Sequence, residues 1–361
     1  VSDHDRWQPA AKPLAPSRAA ATSSSHHERT WPVESLFFMR NDLLTCCVVP
    51  TKRYLLPHIG RTIQDIAVMT ATELIHLSYD GNFQLETDAK VILCKVIQSN
   101  QDEPLPSDDV NDTTTLRVEL QLDRTSMHPQ GGGQPTDLGV IKSNIENDSA
   151  YTANIDKVTI DRASGIATHS GSVALSSSSD NNVATNELFP PNSSVKVTVD
   201  SANRQLLSEC HTAGHVVDAA MARCDKLLPP TKGYHFLDGP YVEYKGSIDI
   251  KDREEFLSRL KEAYQQLINE DIHTQIQTLP VDEAEELCNR LAQNFNMKDF
   301  TSPSEENHPS VRVVTVAGWN CPCGGTHVKS TGVLKERGWG VKGLRCKKGV
   351  VRVRYGPSEE E

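Results

Sequence analysis

Beyond Thr70 the chain alternates apolar and polar positions in short runs separated by turn-forming residues, the period-two pattern of strands buried on one face. Four such stretches, Ala89 to Ile97, Thr114 to Leu122, Val158 to Ile160 with Ile166 to Thr168, and Val195 to Val199, predict a small barrel or sandwich. Two polar segments interrupt it: Ser99 to Thr113, with five carboxylates and no base, and Ser176 to Asn186, with its Ser and Asn run. Both read as surface insertions. At Asp200 the period changes. Ser201 is placed to cap a run, Ala202 to Cys224, in which Leu206, Leu207, Cys210, Val217 and Met221 recur at helical spacing. A strand Tyr234 to Tyr244, a helix Arg253 to Glu270, a strand Ile272 to Thr278, a helix Val281 to Ala292 and a strand Val311 to Ala317 follow. Gly343 to Tyr355 reads as a hairpin turned at Lys348-Gly349. The predicted class is α+β, a small N-terminal β-barrel followed by a mixed α/β unit.

The first residues do not share this pattern. Val1 to Trp31, rich in Ala, Ser, Pro and His and without periodicity, is expected to be disordered. Leu43 to Gln64 holds no acidic residue, while Lys52, Arg53 and Arg61 punctuate apolar and hydroxyl residues, a composition common to organelle presequences and plain unstructured extensions. Residues 1–68 are therefore expected to be a disordered extension or a targeting segment, with initiators available at Met39 and Met69. A chain beginning at Val1 is expected to be a fragment, a processed form or an over-extended gene product. Residues 69–200 then form the barrel and residues 201–361 the second unit. The expected location is cytoplasmic, with mitochondrial or plastid import through the extension as the alternative.

Composition narrows the function. The 361 residues exceed the usual ~100–200 of one domain, so at least two packed units are expected. The most apolar run, Leu43 to Val49, ends at Pro50, far short of the ~18 residues a membrane helix needs, so no membrane partner is expected. With 48 acidic against 37 basic residues the net charge is −11, and any RNA contact must be local. One candidate lies between Lys329 and Arg354, where nine bases face Glu336 alone; a solvated hairpin edge would carry the same charge. The nine scattered cysteines suit a reducing compartment, with thiols free for metal.

Ligand-type residues supply the strongest chemical signal. His211 and His215 stand four apart in the long helix, so one face can present both imidazoles to a single ion. Cys323 and His327 repeat that offset near the end of the chain. Three nitrogens and one thiolate suit zinc better than magnesium or calcium. Cys321 is a competing thiol, and spacing alone does not choose between the two sulfurs. The residue after the first His is Thr212 where a metalloprotease carries Glu, and Glu209 falls on another helix face. The separation of the pairs also disfavours a zinc finger. A second signal is the loop Thr125-Ser-Met-His128-Pro-Gln-Gly131-Gly132-Gly133-Gln134-Pro135, whose glycines let backbone amides approach a ligand closely. It is neither a Rossmann fingerprint nor a P-loop, so no nucleotide cofactor is expected.

Together the glycine-rich loop, the His211/His215 helix, the GYHFLDGPYVEY segment from Gly233 to Tyr244, and the terminal Cys-Gly-Gly-Thr-His-Val with Thr331-Gly332 resemble the alanyl-tRNA editing proteins called AlaX, free-standing relatives of the editing domain of alanyl-tRNA synthetase. The resemblance covers roughly Met69 to Pro357. It implies that the second unit is a zinc-containing editing domain, the second additional domain shared with threonyl-tRNA synthetase, and that His211, His215, Cys323 and His327 are its zinc ligands. The implied activity is hydrolysis of mischarged alanine tRNA, typically with serine and sometimes with glycine attached, and no charging activity. Thr125 is expected to read the serine hydroxyl, and the Gly131 to Gly133 amides with Gln134 to donate to the ester or the terminal adenosine. His128 is a further catalytic candidate or a loop-packing residue. The chain departs from the family at Gly214, where a larger residue is usual. Two other readings stand beside this one: a zinc-stabilised tRNA-binding module without catalysis, and a threonyl-type module acting on Ser-tRNA for threonine.

Overall fold

Alternation of small and branched apolar residues does build a barrel. A computed structural model describes residues 71–97, 113–143, 151–176, 188–292, 294–301 and 309–358, all within one compact unit, Ile66–Glu361. The expectations for residues 1–68, for Met39 and Met69, and for nearly all of the two polar insertions lie outside the described residues.

In chain order the first strands are β1 (Glu73–Leu74), β2 (Glu86–Ile97), β3 (Thr113–Leu122), β4 (Arg124–Thr125), β5 (Gly139–Ser143), β6 (Thr152–Asp161), β7 (Ile166–Ser176) and β8 (Ser194–Val199). Six of them close as β2-β3-β7-β6-β5-β8, every pairing antiparallel. Closure depends on the length of β2. Glu86 to Lys90 pair with β8, the register slips between Val91 and Leu93, and the remainder pairs with β3, so one bent strand serves both sides of the seam. Val91, Val118, Leu120, Ile141, Val158, Val173 and Val197 fill the interior. The strand β5 escapes the sequence pattern because it is only five residues long.

Helix α1 (Ser201–Arg223) follows without a linker. Its cap is Asp200 rather than the expected Ser201: Asp200 Oδ1 accepts the Asn203 N–H at 3.0 Å, leaving Ser201 as the first helical residue. The predicted strand Tyr234 to Tyr244 is instead two, β9 (Pro230–Tyr234) and β10 (Tyr241–Lys245), because Asp238-Gly239-Pro240 turns the chain and Gly239 N–H reaches back to Phe236 O at 3.3 Å. Next come α2 (Arg253–Asn269), β11 (Gln275–Pro280), α3 (Val281–Asn289), β12 (Ser310–Val316), β13 (Trp319–Pro322), β14 (Gly340–Lys347) and β15 (Val350–Gly356). The strand expected from Ile272 starts three residues later, and the helix expected to reach Ala292 ends at Asn289. Lys348 and Gly349, both at positive φ, turn the β14–β15 hairpin as expected.

These strands form a three-stranded sheet, β11-β12-β13, and a four-stranded sheet, β14-β15-β10-β9. The inner face of the larger sheet, with Val242, Tyr244, Val351, Val353 and Tyr355, packs with α1 and α2 into a second core distinct from that of the barrel. Sixteen residues of α1 are buried. One face, with Cys210, Ala213, Val217 and Met221, joins the second core. The other carries Arg204, Ser208, His211 and His215 and positions the site. Among the described residues no helix is long and apolar enough to cross a membrane.

Candidate metal centre

His211 and His215 leave α1 one turn apart, and the chain beyond β13 brings Cys323 and His327 against them. One ligand atom from each of these four residues lies within 4.8 Å of the others. Cys323 Sγ is 3.5 Å from His211 Nε2 and 3.4 Å from His327 Nε2. Cys321 does not join the cluster. It pairs with Val314 inside β13, whereas Pro322 ends that edge strand and frees Cys323 to turn inward.

The surroundings fix which nitrogen each ring offers. Gln134 Oε1 accepts both the Thr326 N–H at 3.0 Å and the His211 Nδ1–H at 2.7 Å, leaving His211 Nε2 as a lone pair aimed at Cys323. His327 turns Nδ1 to Thr212 Oγ1 at 3.2 Å, and Thr212 also accepts the Val328 N–H. Asn82 clamps the same loop, donating to His327 O at 2.8 Å and accepting His327 N–H at 3.0 Å. His215 is buried with neither ring nitrogen hydrogen-bonded among the described residues; Asp218 Oδ2 stands 3.5 Å from its Nδ1. A buried imidazole in that condition, beside a thiol and two oriented lone pairs, is the arrangement a metal ion would satisfy.

Protonation favours the same use. Burial, then the neighbouring rings, holds His211 well below the usual imidazole value, and the same causes act on His327. Burial works against the Cys323 thiolate but is outweighed by His215, Arg312 and the Gly325 N–H, so its pKa falls. Burial, then the charge of Cys323, pushes Cys321 well above the usual thiol range and keeps it protonated. Burial works against a protonated His215 but is outweighed by Asp218 and the Cys323 sulfur, which raise its pKa to about 9, so the set consists of two neutral imidazoles, one ionised sulfur and one imidazolium whose proton a metal ion would displace.

Close packing dictates two glycines. A Cβ on Gly325 would lie 2.2 Å from the His211 ring, so only glycine lets the Cys-Gly-Gly-Thr-His loop reach the helix. A Cβ on Gly214 would stand 2.6 Å from His235 Cε1 and 2.8 Å from Tyr355 Oη. The departure at Gly214 therefore makes room for His235, whose ring stacks on His211 at 4.2 Å between centroids and pairs through Nδ1 with Tyr355 Oη at 2.6 Å.

The glycine-rich loop closes this centre from the barrel side. His235 N–H donates to Gly133 O at 2.9 Å, and Gly133 packs on Gly233. Gly131 and Gln134 exchange backbone bonds, N–H to O, at 3.2 and 2.9 Å, so their amides are occupied. Gly132 and Gly133, at φ +58° and +84°, keep N–H groups with no acceptor among the described residues. The side chain of Gln134, expected to face the ester, is fully buried and already bonded to His211 and Thr326. Thr125 is fully buried as well. His169 Nδ1 faces Leu120 O at 3.1 Å, so its Nε2 is the acceptor and takes the Thr125 hydroxyl proton at 2.9 Å, while Thr125 Oγ1 accepts Met127 N–H at 3.1 Å. His128 is buried, with its ring edge-on to His76 at 5.0 Å and its Nδ1 3.3 Å from Pro135 O; burial brings its pKa down to about 4.

Sequence reasoning passed over Asn82, Asp137, His169, Arg204 and His235. Arg204 Nε lies 3.0 Å from both oxygens of Asp137, its Nη2 also reaches that carboxylate, and it donates to Ser126 O at 2.6 Å, which fastens α1 to the loop. The signal for Arg204 was present: Arg204, Ser208, His211 and His215 form a polar stripe at helical spacing on a helix that is also apolar on its other face.

Residues 311–354 match the family described as the threonyl and alanyl tRNA synthetase second additional domain. Longer similarities extend across both lobes. The alanyl-tRNA editing protein AlaX-L of Pyrococcus horikoshii is 30% identical over 224 residues, 61% of this chain and 47% of the relative. The alanyl-tRNA editing protein AlaX-M of Methanosarcina acetivorans is 28% identical over 215 residues, 59% of this chain and 79% of the relative. An alanine–tRNA ligase of Prochlorococcus marinus is 26% identical over 275 residues, 76% of this chain and 27% of the relative. The chain thus spans about half the length of AlaX-L and about a quarter of that ligase. The resemblance to AlaX proteins read from the motifs is borne out by these similarities.

Proposed function

We propose that this protein hydrolyses the ester of mischarged alanine tRNA, releasing serine, and also glycine, from Ser-tRNA and Gly-tRNA for alanine. The carrying observation is the bond between Gln134 of the glycine-rich loop and His211 of the ligand cluster, at 2.7 Å. It supports reading the glycine-rich loop and the four-residue cluster as parts of one site. The second additional domain and the AlaX relatives supply the substrate class.

His211, His215, Cys323 and His327 would hold the metal, and the three-nitrogen, one-thiolate set favours zinc. When bound, the ion supplies Lewis-acid polarisation and positive charge at the site. The chain's own residues do the rest. Gly132 and Gly133 N–H groups donate to the ester oxygen as it gains charge. Gln134 acts through His211, as a positioning residue. Thr125 keeps the discriminating role implied by the family. After Met127 N–H and the proton given to His169, its oxygen has one lone pair left, which a serine hydroxyl can occupy as donor. Residues 201–361 are proposed as the editing domain and residues 69–200 as the barrel that completes its site. The binding-module reading rested on Gly214, and His235 accounts for that residue. The threonyl-type reading gives no part to the glycine-rich loop.

The test is a deacylation time course on Ser-tRNA, Gly-tRNA and Ala-tRNA for alanine, with wild type, His211→Ala and Thr125→Val, and bound zinc measured in each. The expected result is rapid loss of seryl ester by wild type, none by His211→Ala, and a Thr125→Val enzyme that loses its preference for Ser-tRNA over Ala-tRNA. Equal hydrolysis of Ser-tRNA and Ala-tRNA by wild type would overturn the specificity, and no turnover by a zinc-loaded protein would overturn the activity.

A further inference from the structure

The outward face of the four-stranded sheet carries an unpartnered stack. Phe236 lies on Tyr234 at 4.7 Å and 16° between ring planes, and Tyr234 lies on Tyr241 at 5.1 Å and 20°. The Arg352 guanidinium then covers Tyr241 at 4.0 Å from the ring centre. Four π systems therefore run in series across β9, β10 and β15. Lys232 Nζ stands 5.8 and 5.6 Å from the two tyrosine rings. Register places Arg354 beside Tyr241, and Arg345 beside Arg352. Arg345, Arg352 and Arg354 also line a cleft of about 490 Å³ together with Tyr241 and Asp238. Of the acids nearby, Glu243 is paired with Arg352 at 2.6 Å, and Asp238 accepts the Tyr234 hydroxyl at 3.0 Å. Lys232, Arg345 and Arg354 form no ion pair among the described residues, so the face is positive on a chain whose net charge is −11.

Aromatic rings in series with free cations suit a single-stranded nucleic acid, whose bases stack and whose phosphates pair. A duplex offers no free base face. The stack also ends at the site: Phe236 is its terminal ring, and the next residue back, His235, turns to the opposite side, stacks on His211 and bonds to Gly133. We infer that the stack Phe236–Tyr234–Tyr241–Arg352 is the platform for the unpaired 3′ end of the tRNA. The bases continue the stack on Phe236, and the phosphates lie against Lys232, Arg345 and Arg354. This inference rests on the editing reading for the identity of the RNA.

The test is equilibrium binding of the full chain to uncharged alanine tRNA, intact or lacking its unpaired 3′ nucleotides, across a salt series. Phe236→Ala is expected to weaken the intact tRNA about tenfold and to leave the trimmed tRNA unchanged, since base–aromatic stacking is lost only where a base is present. Phe236→Tyr keeps a ring and should bind as wild type, which separates stacking from a folding defect. Arg354→Ala should make the slope of log K against log salt shallower by about 0.7, the contribution of one single-strand phosphate. Lys251→Ala, outside the sheet, controls for net charge. Equal binding of intact and trimmed tRNA by wild type, or no difference between Phe236→Ala and Phe236→Tyr, would overturn the inference. Wild type that deacylates Ser-tRNA while Phe236→Ala binds normally would sink this surface and leave editing standing. Wild type that binds through Phe236 without deacylating would do the reverse.

Discussion

Gly214→Ala is a substitution for which general rules and this structure predict opposite signs. In the interior of a helix, alanine is more favourable than glycine by about 1 kcal/mol. Here the added Cβ would lie 2.6 Å from His235 Cε1, 2.7 Å from His235 Nδ1 and 2.8 Å from Tyr355 Oη. His235 has nowhere simple to go, because one face of its ring lies on His211 and its backbone N–H is held by Gly133. Overpacking of a buried site costs about 1–3 kcal/mol, and loss of the His235–Tyr355 bond about 1 more. Set against the helix gain, the net is a loss of about 1–3 kcal/mol, or a fall of roughly 2–5 °C in Tm for a chain of this size. Thermal melts of the zinc-loaded protein would measure it, as a double-mutant cycle with His235→Ala. Without the imidazole only the Tyr355 contact remains, and that hydroxyl, freed of its partner, can swing away. In the His235→Ala background the same substitution should therefore stabilise by up to ~1 kcal/mol. An equal effect of either sign in the two backgrounds would refute the claim that His235 is what makes Gly214 a glycine.

Gln134→Leu removes the acceptor that holds His211 Nδ1–H and should weaken binding of the proposed zinc about 10–100-fold with the fold intact, as read by chelator competition. Asp137→Asn uncouples a fully buried guanidinium and should cost about 3–5 kcal/mol in denaturant titrations, whereas Arg290→Ala, at an exposed ion pair, should change stability by less than about 1 kcal/mol. Stability should fall on acidification below about pH 6.5. Burial brings both His128 and His169 down to about 4, so between those values the unfolded chain binds more protons than the folded one. The folded state loses ground through this window, by roughly 3 kcal/mol for each ring by pH 4, and a Tm that is flat from pH 7 to pH 4 would contradict it.

The ligand pairs were legible because each is local. Four residues along a helix, or along one loop, keep His211 with His215 and Cys323 with His327 whatever the rest of the chain does. Which sulfur joins the cluster was not legible from spacing, because the answer depends on where β13 stops: Cys321 is held in the strand and Cys323 is past Pro322. The long helix and the hairpin at Lys348-Gly349 followed from periodicity and turn chemistry, while β5 is too short to leave a pattern. The glycine-rich loop was conspicuous, but the use of its parts was not. Gly131 and Gln134 spend their amides on one another in a local turn that the residue types alone do not announce, and only a contact across 77 residues shows that Gln134 serves His211. His235 belonged to a recognisable segment, yet its role depends on an empty Cβ position 21 residues earlier in a different element.

The division of labour across the seam explains why the barrel accompanies the ligand-bearing lobe. All four residues of the cluster belong to the second lobe, yet three of the supports that orient them or their loop come from the other side: Gln134 to His211, Asn82 to the His327 backbone, and Asp137 to Arg204 at the start of α1. Apart from the barrel, the same helix would carry an uncompensated guanidinium and an unfixed His211 tautomer. Orientation of the centre and seating of the glycine-rich loop are thus one equilibrium. An ion that binds only the oriented ligands stabilises that seating in proportion to RT ln(1 + [L]/Kd). The free Gly132 and Gly133 N–H groups are held in place by the same seating, through Gly133 O and His235 N–H. Binding of the proposed metal and assembly of the amides proposed to meet the ester are therefore coupled by geometry, so losing either one should disturb the other.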